Sequence, residues 1–289
     1  MPPDELELTP EDQIAILAGR YSLRAEAYDT LWSPVILPVA ERLLGHLPLS
    51  RAKNIIDVGT GSGALLPLIE KGYPAAIVLG VDNSEGMLRL ARDKHVGPLA
   101  LMDVQKLDLP GNQFDVAVVA FVLFHLPRPD RCMKEVNRVL RPGGSVGTVT
   151  WGAEHLPPAD AIWTEELDAS GATMLDLPAV NNRGCCDSPE KIAALLERAG
   201  LDSIRTWTEP IHHQWRADDH FEYQAQSGSL IRLLSLTPSE RDSCMRRVRD
   251  RLSGQGEDQY VFRGEVVMAT AVKRTLAATD GRANLVTTS

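Results

Sequence analysis

Asn54-Ile55-Ile56-Asp57-Val58-Gly59-Thr60-Gly61-Ser62-Gly63 is the stretch that decides the fold, because here an apolar run passes directly into a glycine-rich turn. The run Ile55–Val58 predicts a buried strand, and the glycines after it permit positive φ angles and let backbone N–H groups approach a ligand closely. A helix that begins after such a turn directs its N-terminal dipole at the same place. The turn therefore predicts a nucleotide-binding pocket.

The residues after the turn alternate between helix and strand patterns. The predicted elements are a helix at Ala64–Lys71, a strand at Ile77–Val81, a helix at Glu85–Lys94, strands at Leu99–Met102 and Val116–Phe121, a helix at Asp130–Arg141 and a strand at Ser145–Thr150. Gly143-Gly144 after Pro142 ends the last of these helices. The alternation predicts an α/β fold whose parallel sheet is doubly wound, with helices on both faces.

The flanking segments predict a helical cap before the turn and more sheet after the core. Apolar side chains recur at helical spacing from about Glu11 to Leu47. Downstream, the predicted elements are a helix at Glu190–Ala199, strands at Ile204–Trp207 and Tyr260–Val272, and a mostly helical insertion at Trp215–Gly256. The predicted divisions are a cap at 1–50, a nucleotide-binding core at 51–151, the rest of the sheet at 152–213, a helical lid at 214–258, a last strand at 259–273 and a disordered tail at 274–289.

Composition limits the partners of this 289-residue chain. Its net charge of -9 and pI near 5.3 disfavour attraction to nucleic acid or to an anionic membrane, and they favour a small-molecule acceptor. The acidic start carries no apolar signal core and no window reaches membrane-spanning length, so we expect a cytoplasmic protein without a membrane segment. The cysteines have no metal-ligand spacing, which predicts no metal site and fits a reducing compartment.

The turn alone leaves two nucleotides open. Gly59 to Ala64 satisfies the G-x-G-x-x-G/A pattern of nicotinamide-dinucleotide sites, and Asp82 ends the second strand where an acid would hold ribose hydroxyls. A nicotinamide dinucleotide and S-adenosylmethionine both carry a ribose. The pattern therefore does not separate an oxidoreductase from a methyltransferase.

Four motifs together resemble the class I S-adenosylmethionine-dependent methyltransferases of the small-molecule type. Asp57 opens the family's D-x-G-x-G-x-G motif, Asp82 matches its ribose-binding acid, Met102-Asp103-Val104 matches its third motif, and Leu140-Arg141-Pro142-Gly143-Gly144 matches a landmark before the fifth strand. The resemblance spans about residues 54–151. It implies a Rossmann-like seven-stranded sheet whose last strand is antiparallel, with the cofactor's methionine group near Gly59 and Gly61.

The resemblance also implies a set of cofactor-binding residues. We assign Asp57, Gly59, Thr60, Gly61, Asp82, Asn83, Met87, Asp103, Val104 and Phe121 to S-adenosylmethionine. Some of these residues have a second interpretation. Asp57 and Asp82 suit the capping of a turn and a helix, Asp103 suits a solvated loop, and Met87 suits the core.

The segment Ala120–Leu126 follows the fourth strand, where this family places residues over the transferred methyl group. It lacks the Asn/Asp-Pro-Pro-aromatic and Pro-Cys motifs of enzymes that methylate nucleic-acid bases, which again favours a small acceptor, as in secondary metabolism. His125 is the first candidate for a base, and Tyr21 and Tyr28 are further catalytic candidates on the cap; a structural role is open for each. Because these side chains handle protons, oxygen or nitrogen is preferred over carbon as the acceptor atom.

The C-terminal insertion leaves several alternatives open. Its arginines, from Arg241 to Arg251, suit either a solvated helix face or a site for an anionic substrate, and the leucines of 230–236 suit core packing, a lid or a dimer contact. Monomer and homodimer both remain open. The rival functions are a nicotinamide-dependent oxidoreductase, and a catalytically silent cofactor-binding protein that interacts through this insertion.

Overall fold

The computed structural model describes residues 8–174 and 182–275. These residues contain a single seven-stranded sheet. Its strands are β1 (Asn54–Val58), β2 (Ile77–Asp82), β3 (Leu99–Leu101), β4 (Phe114–Ala120), β5 (Leu140–His155), β6 (Leu201–Gln214) and β7 (Val261–Lys273). The tail at 276–289, for which the sequence predicts disorder, lies outside the described residues.

The strand order is β3-β2-β1-β4-β5-β7-β6. Strands β1 to β5 pair in parallel, and β7 pairs antiparallel with both β5 and β6. The seven-stranded, doubly wound prediction with an antiparallel last strand is therefore confirmed. The order reverses between β1 and β4, and a crevice outside the carboxyl ends of strands at such a switch point is where open α/β sheets bind ligands.

Helices pack against the sheet along its length. The helices of the described residues are α1 (Pro10–Leu23), α2 (Ala25–Ala27), α3 (Ser33–Leu44), α4 (Leu66–Gly72), α5 (Glu85–Lys94), α6 (Pro129–Val139), α7 (Asp160–Ala169), α8 (Pro189–Arg198), α9 (Ala217–Tyr223), α10 (Leu230–Leu233) and α11 (Pro238–Leu252). The packing on the sheet extends from α5, against β2 and β3, to α8, against β6. Across the described residues, no helix combines the length and the apolar run needed to cross a membrane.

The cap departs from the long helical segment predicted between residues 11 and 47. A π-helical turn at Tyr28–Trp32 separates α2 from α3. Pro34 lies in the first turn of α3 and has no N–H to donate to Thr30, so the regular ladder of helical hydrogen bonds is interrupted there. Tyr28 and Trp32 are the first and last residues of this π-helical turn.

Two strands extend beyond their predicted bounds. β5 and β6 are 16 and 14 residues long because both pair with β7, which the alternation pattern did not reveal. Pro210 is tolerated within β6 because β6 lies at the edge of the sheet. Helix α4 begins two residues later than predicted, which leaves Pro67 in its first turn, as the proline requires.

The insertion between β6 and β7 is helical, as predicted. It holds α9, a π-helical turn at Gln224–Gly228, α10 and α11. The arginines of α11 are largely engaged within the fold: Arg247 and Arg251 both donate to Glu166 of α7, at 2.7 and 2.9 Å. These contacts favour the structural interpretation of the arginine run, and they attach the insertion to α7.

Candidate active site

A cleft of about 640 Å³, partly open to solvent, lies over the carboxyl ends of β1, β2 and β4. Its lining comes from the cap (Ile14, Leu17, Tyr21, Tyr28) and from the core (Gly59, Gly61, Asp82, Asn83, Met87, Val104, Ala120, Phe121, Val122, His125, Leu126). A second cleft of about 460 Å³ shares Tyr28, Gly59, Gly61, Ala120 and Phe121 with the first, and adds Asp57 and Thr60. The glycine turn thus lies at the junction of two connected spaces.

The glycine turn is held against β2. The N–H groups of Gly59 and Thr60 both donate to the carbonyl oxygen of Val81, at 2.8 and 2.9 Å. At Gly59 a Cβ would lie 2.4 Å from a methyl carbon of Val122, so no side chain fits there. Gly61 also has a positive φ, +56°, but a Cβ on this residue would meet no atom within 4 Å. The open space at Gly61 is the space of the cleft itself, which a ligand would enter.

Asp82 is fixed by backbone donors. One carboxylate oxygen accepts from the N–H of Gly61 at 2.8 Å and the other from the N–H of Ser84 at 2.9 Å. Burial raises the pKa of Asp82, and these N–H groups oppose the rise. A carboxylate accepts about four hydrogen bonds, so acceptor capacity remains on the face that lines the cleft. That capacity suits a pair of ligand hydroxyl groups.

Asp57 lies at the second cleft and is almost fully buried. The Thr60 hydroxyl donates to its carboxylate at 2.6 Å. Burial raises the pKa of Asp57 to about 6, with the Thr60 hydrogen bond acting in the opposite direction. A carboxylate in such a place is stabilised by a nearby positive charge on a ligand.

The remaining predicted cofactor residues divide into two groups. Asn83, Met87, Val104 and Phe121 line the larger cleft, with Met87 and Val104 buried and apolar. Asp103 does not line either cleft. Its carboxylate accepts from the backbone N–H of Gln105 at 2.9 Å, which makes it an acceptor for its own turn. The contact of Asp103 with an adenine amino group stays a prediction without support from this geometry.

Tyr21 and His125 meet across the larger cleft. The Tyr21 hydroxyl lies 2.8 Å from Nε2 of His125, and the Tyr28 ring packs edge-on against Tyr21 at a centroid distance of 5.6 Å. Burial, assisted by the positive charge of Arg183, lowers the pKa of His125 to about 4. Burial raises the pKa of Tyr21 and of Tyr28 well above the usual value for a phenol. All three candidates are therefore uncharged at neutral pH.

The cap is tied to the motifs beneath it at two points. Asp29 of the π-helical turn accepts from the Ser62 hydroxyl at 2.5 Å and forms an ion pair with Lys94. The Ser22 hydroxyl lies 2.8 Å from that of Ser84, next to Asp82. Ser62 directly follows Gly61, so both ties reach the residues that shape the larger cleft.

The charge of the clefts decides which nucleotide fits. Within residues 8–174 and 182–275, no lysine or arginine lines either space, whereas Asp57 and Asp82 do. A dinucleotide diphosphate would meet two carboxylates with no compensating cation. S-adenosylmethionine carries a sulfonium and an ammonium group and no phosphate, so the donors, the carboxylates and the open glycine fit it.

Several lining residues were not predicted to belong to the site. Ile14, Leu17 and Tyr21 share one face of α1, since Leu17 and Tyr21 follow Ile14 by three and seven residues. This helical spacing was the sequence feature that could have indicated that Ile14 and Leu17 face the site. Val122 and Leu126 lie in the segment after β4, where the sequence analysis assigned only Phe121 and His125 to the site. Nothing local marks them, because the contact depends on how the cap packs over the sheet.

Known proteins share this fold and parts of this sequence. A methyltransferase domain model matches residues 56–147. The ubiquinone/menaquinone biosynthesis C-methyltransferase UbiE of Burkholderia mallei is 31% identical over 167 residues, which cover 53% of this chain and 68% of that protein.

Among solved structures, the [4+2]-cyclase SpnF aligns with a TM-score of 0.57 at 17% identity, over 90% of this chain and 96% of that one. The Haemonchus contortus phosphoethanolamine N-methyltransferase 2, in complex with phosphomonomethylethanolamine and S-adenosylhomocysteine, aligns with a TM-score of 0.53 at 17% identity, over 93% of this chain and 61% of that one. These two likenesses show the fold. Together with the UbiE relationship and the methyltransferase domain, they establish that the chain belongs to the class I S-adenosylmethionine-dependent methyltransferases.

Proposed function

We propose that this enzyme transfers a methyl group from S-adenosylmethionine to an oxygen or nitrogen atom of a small molecule, with Tyr21 and His125 receiving the acceptor's proton. The observation that carries the proposal is the 2.8 Å contact between the Tyr21 hydroxyl and Nε2 of His125 at the wall of the cofactor cleft. The UbiE relative and the phosphoethanolamine N-methyltransferase are both named as enzymes that methylate small molecules, which supports a small acceptor here.

The proposed cofactor contacts follow the lining of the two clefts. Asp82 accepts the ribose hydroxyls, Met87 and Val104 flank the adenine, and Asn83 lies beside them. Gly59 and Gly61 bring the backbone close to the methionine group, and Asp57, oriented by Thr60, provides a negative charge on that side. Phe121 lies where the two clefts meet. When bound, S-adenosylmethionine supplies an electrophilic methyl group on a sulfonium, and the chain's task is alignment and the exclusion of water.

Proton removal is the chemistry proposed for the chain's own residues. As the new bond from the acceptor atom to carbon forms, the bond from carbon to sulfur breaks and its electron pair stays on sulfur. The acceptor's proton becomes strongly acidic during this step, so the Tyr21 oxygen can accept it while the Tyr21 proton passes to His125. A pKa of about 4 leaves the His125 imidazole unprotonated at neutral pH but weakly basic, so the transfer is driven by the acidity that the acceptor's proton gains as the methyl group arrives. Tyr28 holds the Tyr21 ring in place by edge contact.

Carbon is the second candidate acceptor atom, because the UbiE relatives are named C-methyltransferases. A carbon acceptor also loses a proton after methyl transfer, and the same pair would receive it. The position of the new methyl group in the product distinguishes an oxygen or nitrogen acceptor from a carbon acceptor. After turnover with methyl-deuterated cofactor, NMR separates a methyl group on oxygen or nitrogen from one on carbon.

The proposal is tested by Tyr21→Phe, with Tyr73→Phe as a matched control outside the clefts. We expect Tyr21→Phe to lower kcat by about 10²-fold, the lower end for lost proton transfer, while the affinity for S-adenosylhomocysteine changes less than about twofold. Tyr73→Phe should leave both quantities unchanged. An unchanged kcat in Tyr21→Phe would refute the proton role, and absent cofactor binding by the wild type would refute the function.

A further inference from the structure

A third cleft, of about 470 Å³, lies between the cap and the insertion. It shares two walls, Tyr21 and Tyr28, with the cofactor cleft, so a ligand in it would lie beside the reacting methyl group. Its remaining lining comes from the cap, from Tyr223 at the end of α9 and from the π-helical turn that follows.

The walls of this third cleft carry aromatic side chains. The Trp32 ring of the cap and the Tyr223 ring of the insertion are stacked, with centroids 5.0 Å apart and planes 11° apart. Trp215 packs against both rings, with its centroid 5.0 Å from that of Tyr223 and 6.4 Å from that of Trp32, so the three rings form one cluster. Trp32 and Tyr223 line the cleft, together with the rings of Tyr21 and Tyr28. A planar ring gains contact on such walls that an extended aliphatic chain does not.

Arg24 gives the third cleft its charge. It lines the cleft, and among the residues that the structure describes it has no carboxylate within ion-pair distance; its Nε reaches only the carbonyl of Arg20, at 3.4 Å. Within the described part of the chain, no acidic side chain lines this cleft. Burial raises the pKa of Tyr21 and of Tyr223. The charge of Arg24 opposes the rise at both, while Asp82 adds to it at Tyr21 and Asp160 and Glu154 add to it at Tyr223; none of these three carboxylates lines the cleft.

We propose that the third cleft is the acceptor site and that its acceptor is a planar aromatic compound bearing an anionic group. The anionic group pairs with Arg24, the ring contacts Trp32 and Tyr223, and the nucleophilic oxygen or nitrogen points to the wall shared with the cofactor cleft. The inference rests on the proposed methyl transfer and deepens it, because it names the acceptor class. A cationic acceptor is disfavoured, because Arg24 would repel it in a cleft without a carboxylate.

The test uses calorimetry on the protein saturated with S-adenosylhomocysteine. Three probes with one ring system are titrated: 6-hydroxy-2-naphthoate, its neutral carboxamide and the corresponding cationic aminomethyl compound. We expect the carboxylate to bind about tenfold tighter than the carboxamide or more, since a charged hydrogen bond is worth about that factor, and the cation to bind weakest.

Variants then assign the effect to single residues. Arg24→Met should weaken the carboxylate about tenfold or more and change the carboxamide less than about twofold. Arg20→Met, one turn earlier in the last turn of α1 and outside the lining, should change neither. Trp32→Leu should weaken carboxylate and carboxamide together. Each variant must keep the wild-type affinity for S-adenosylhomocysteine, which shows that its cofactor site is intact.

The outcomes separate this inference from the proposed function. Equal binding of the three probes, an Arg24→Met variant that binds the carboxylate like the wild type, or no binding by any probe to the cofactor-saturated protein would each overturn the acceptor class. The proposed methyl transfer would survive all three results. Failure of the wild type to bind S-adenosylhomocysteine would instead remove the function on which the inference rests.

Discussion

Gly61→Ala tests whether the cofactor approaches the glycine turn. Gly61 has a φ of +56° and an added Cβ meets no protein atom within 4 Å, so the protein itself has room for the methyl group. The same methyl group would project into space shared by both clefts. The N–H of residue 61 would still donate to Asp82, because alanine keeps it. The substitution therefore adds bulk to the site without removing a hydrogen bond.

The stability cost of Gly61→Ala follows from its backbone conformation. An L-residue in the left-handed region costs about 1–2 kcal/mol, and the stiffer unfolded chain returns about 0.4–1 kcal/mol. The expected net loss is about 1 kcal/mol in the free energy of unfolding. The expected loss of affinity is larger, because a methyl group forced into a filled contact costs about 1–3 kcal/mol, or about 5-fold to 150-fold in Kd.

Gly171→Ala is the matched control. Gly171 has a φ of +71° and equally open space around its Cβ position, but it follows α7 and lines none of the three clefts. Thermal unfolding should give both variants a similar drop in midpoint, about 2–4 °C, while calorimetry with S-adenosylhomocysteine should detect weaker binding only in Gly61→Ala. Wild-type affinity in Gly61→Ala would refute the close approach of the cofactor. A much larger midpoint drop than in Gly171→Ala would trace the affinity loss to a damaged turn.

Three further predictions concern aspartates. Asp82→Asn should weaken S-adenosylhomocysteine binding by about tenfold or more, because the ribose loses a charged acceptor. The control Asp93→Asn, on the exposed side of α5, should leave the affinity unchanged. Equal calorimetric Kd values in the two variants would contradict the ribose role. The affinity for S-adenosylmethionine should fall as the pH drops from 7 to 5. The reason is that the Asp57 carboxyl, with its pKa raised to about 6, gains a proton and no longer attracts the cationic cofactor. Binding titrations at a series of pH values should show that Asp57→Asn abolishes this pH dependence. Asp115→Ala removes the carboxylate that accepts from two backbone N–H groups at the start of β1 and from Arg141. Urea unfolding should therefore show a loss of about 2 kcal/mol in the free energy of unfolding, while the cofactor Kd stays unchanged. A loss under about 0.5 kcal/mol would refute that account.

The parts of the site that are local in sequence were predictable. Asp57 and the glycines of the turn follow one strand directly, and Asp82 ends the next strand along. Because the carboxyl ends of neighbouring parallel strands meet at one edge of the sheet, their proximity follows from the alternation pattern alone. The registers of β1 and β2 bear this out, with Asp57 opposite Gly80 and Val58 opposite Val81.

The parts that depend on packing between distant segments were not predictable. Tyr21 and His125 are 104 residues apart, and no periodicity states that the cap places one against the other. Arg24 and Tyr223 come from the cap and the insertion, so their common cleft exists only after both have packed over the sheet. The lengths of β5 and β6 likewise depend on pairing with β7, a partner far along the chain.

The cap and the cofactor site use the same two stretches of backbone. Ser62, which donates to Asp29 of the cap, follows Gly61, and Ser84, which contacts Ser22 of the cap, donates its N–H to Asp82. A ligand that orders the glycine turn and Asp82 therefore also orders the anchors of the cap. Since the cap provides walls of the acceptor cleft, cofactor binding should complete that cleft before the acceptor enters. An ordered mechanism, with the cofactor binding first, follows from these shared contacts. Initial-rate kinetics with S-adenosylhomocysteine as a product inhibitor would test it. The ordered mechanism predicts inhibition that is competitive against the cofactor and noncompetitive against the acceptor.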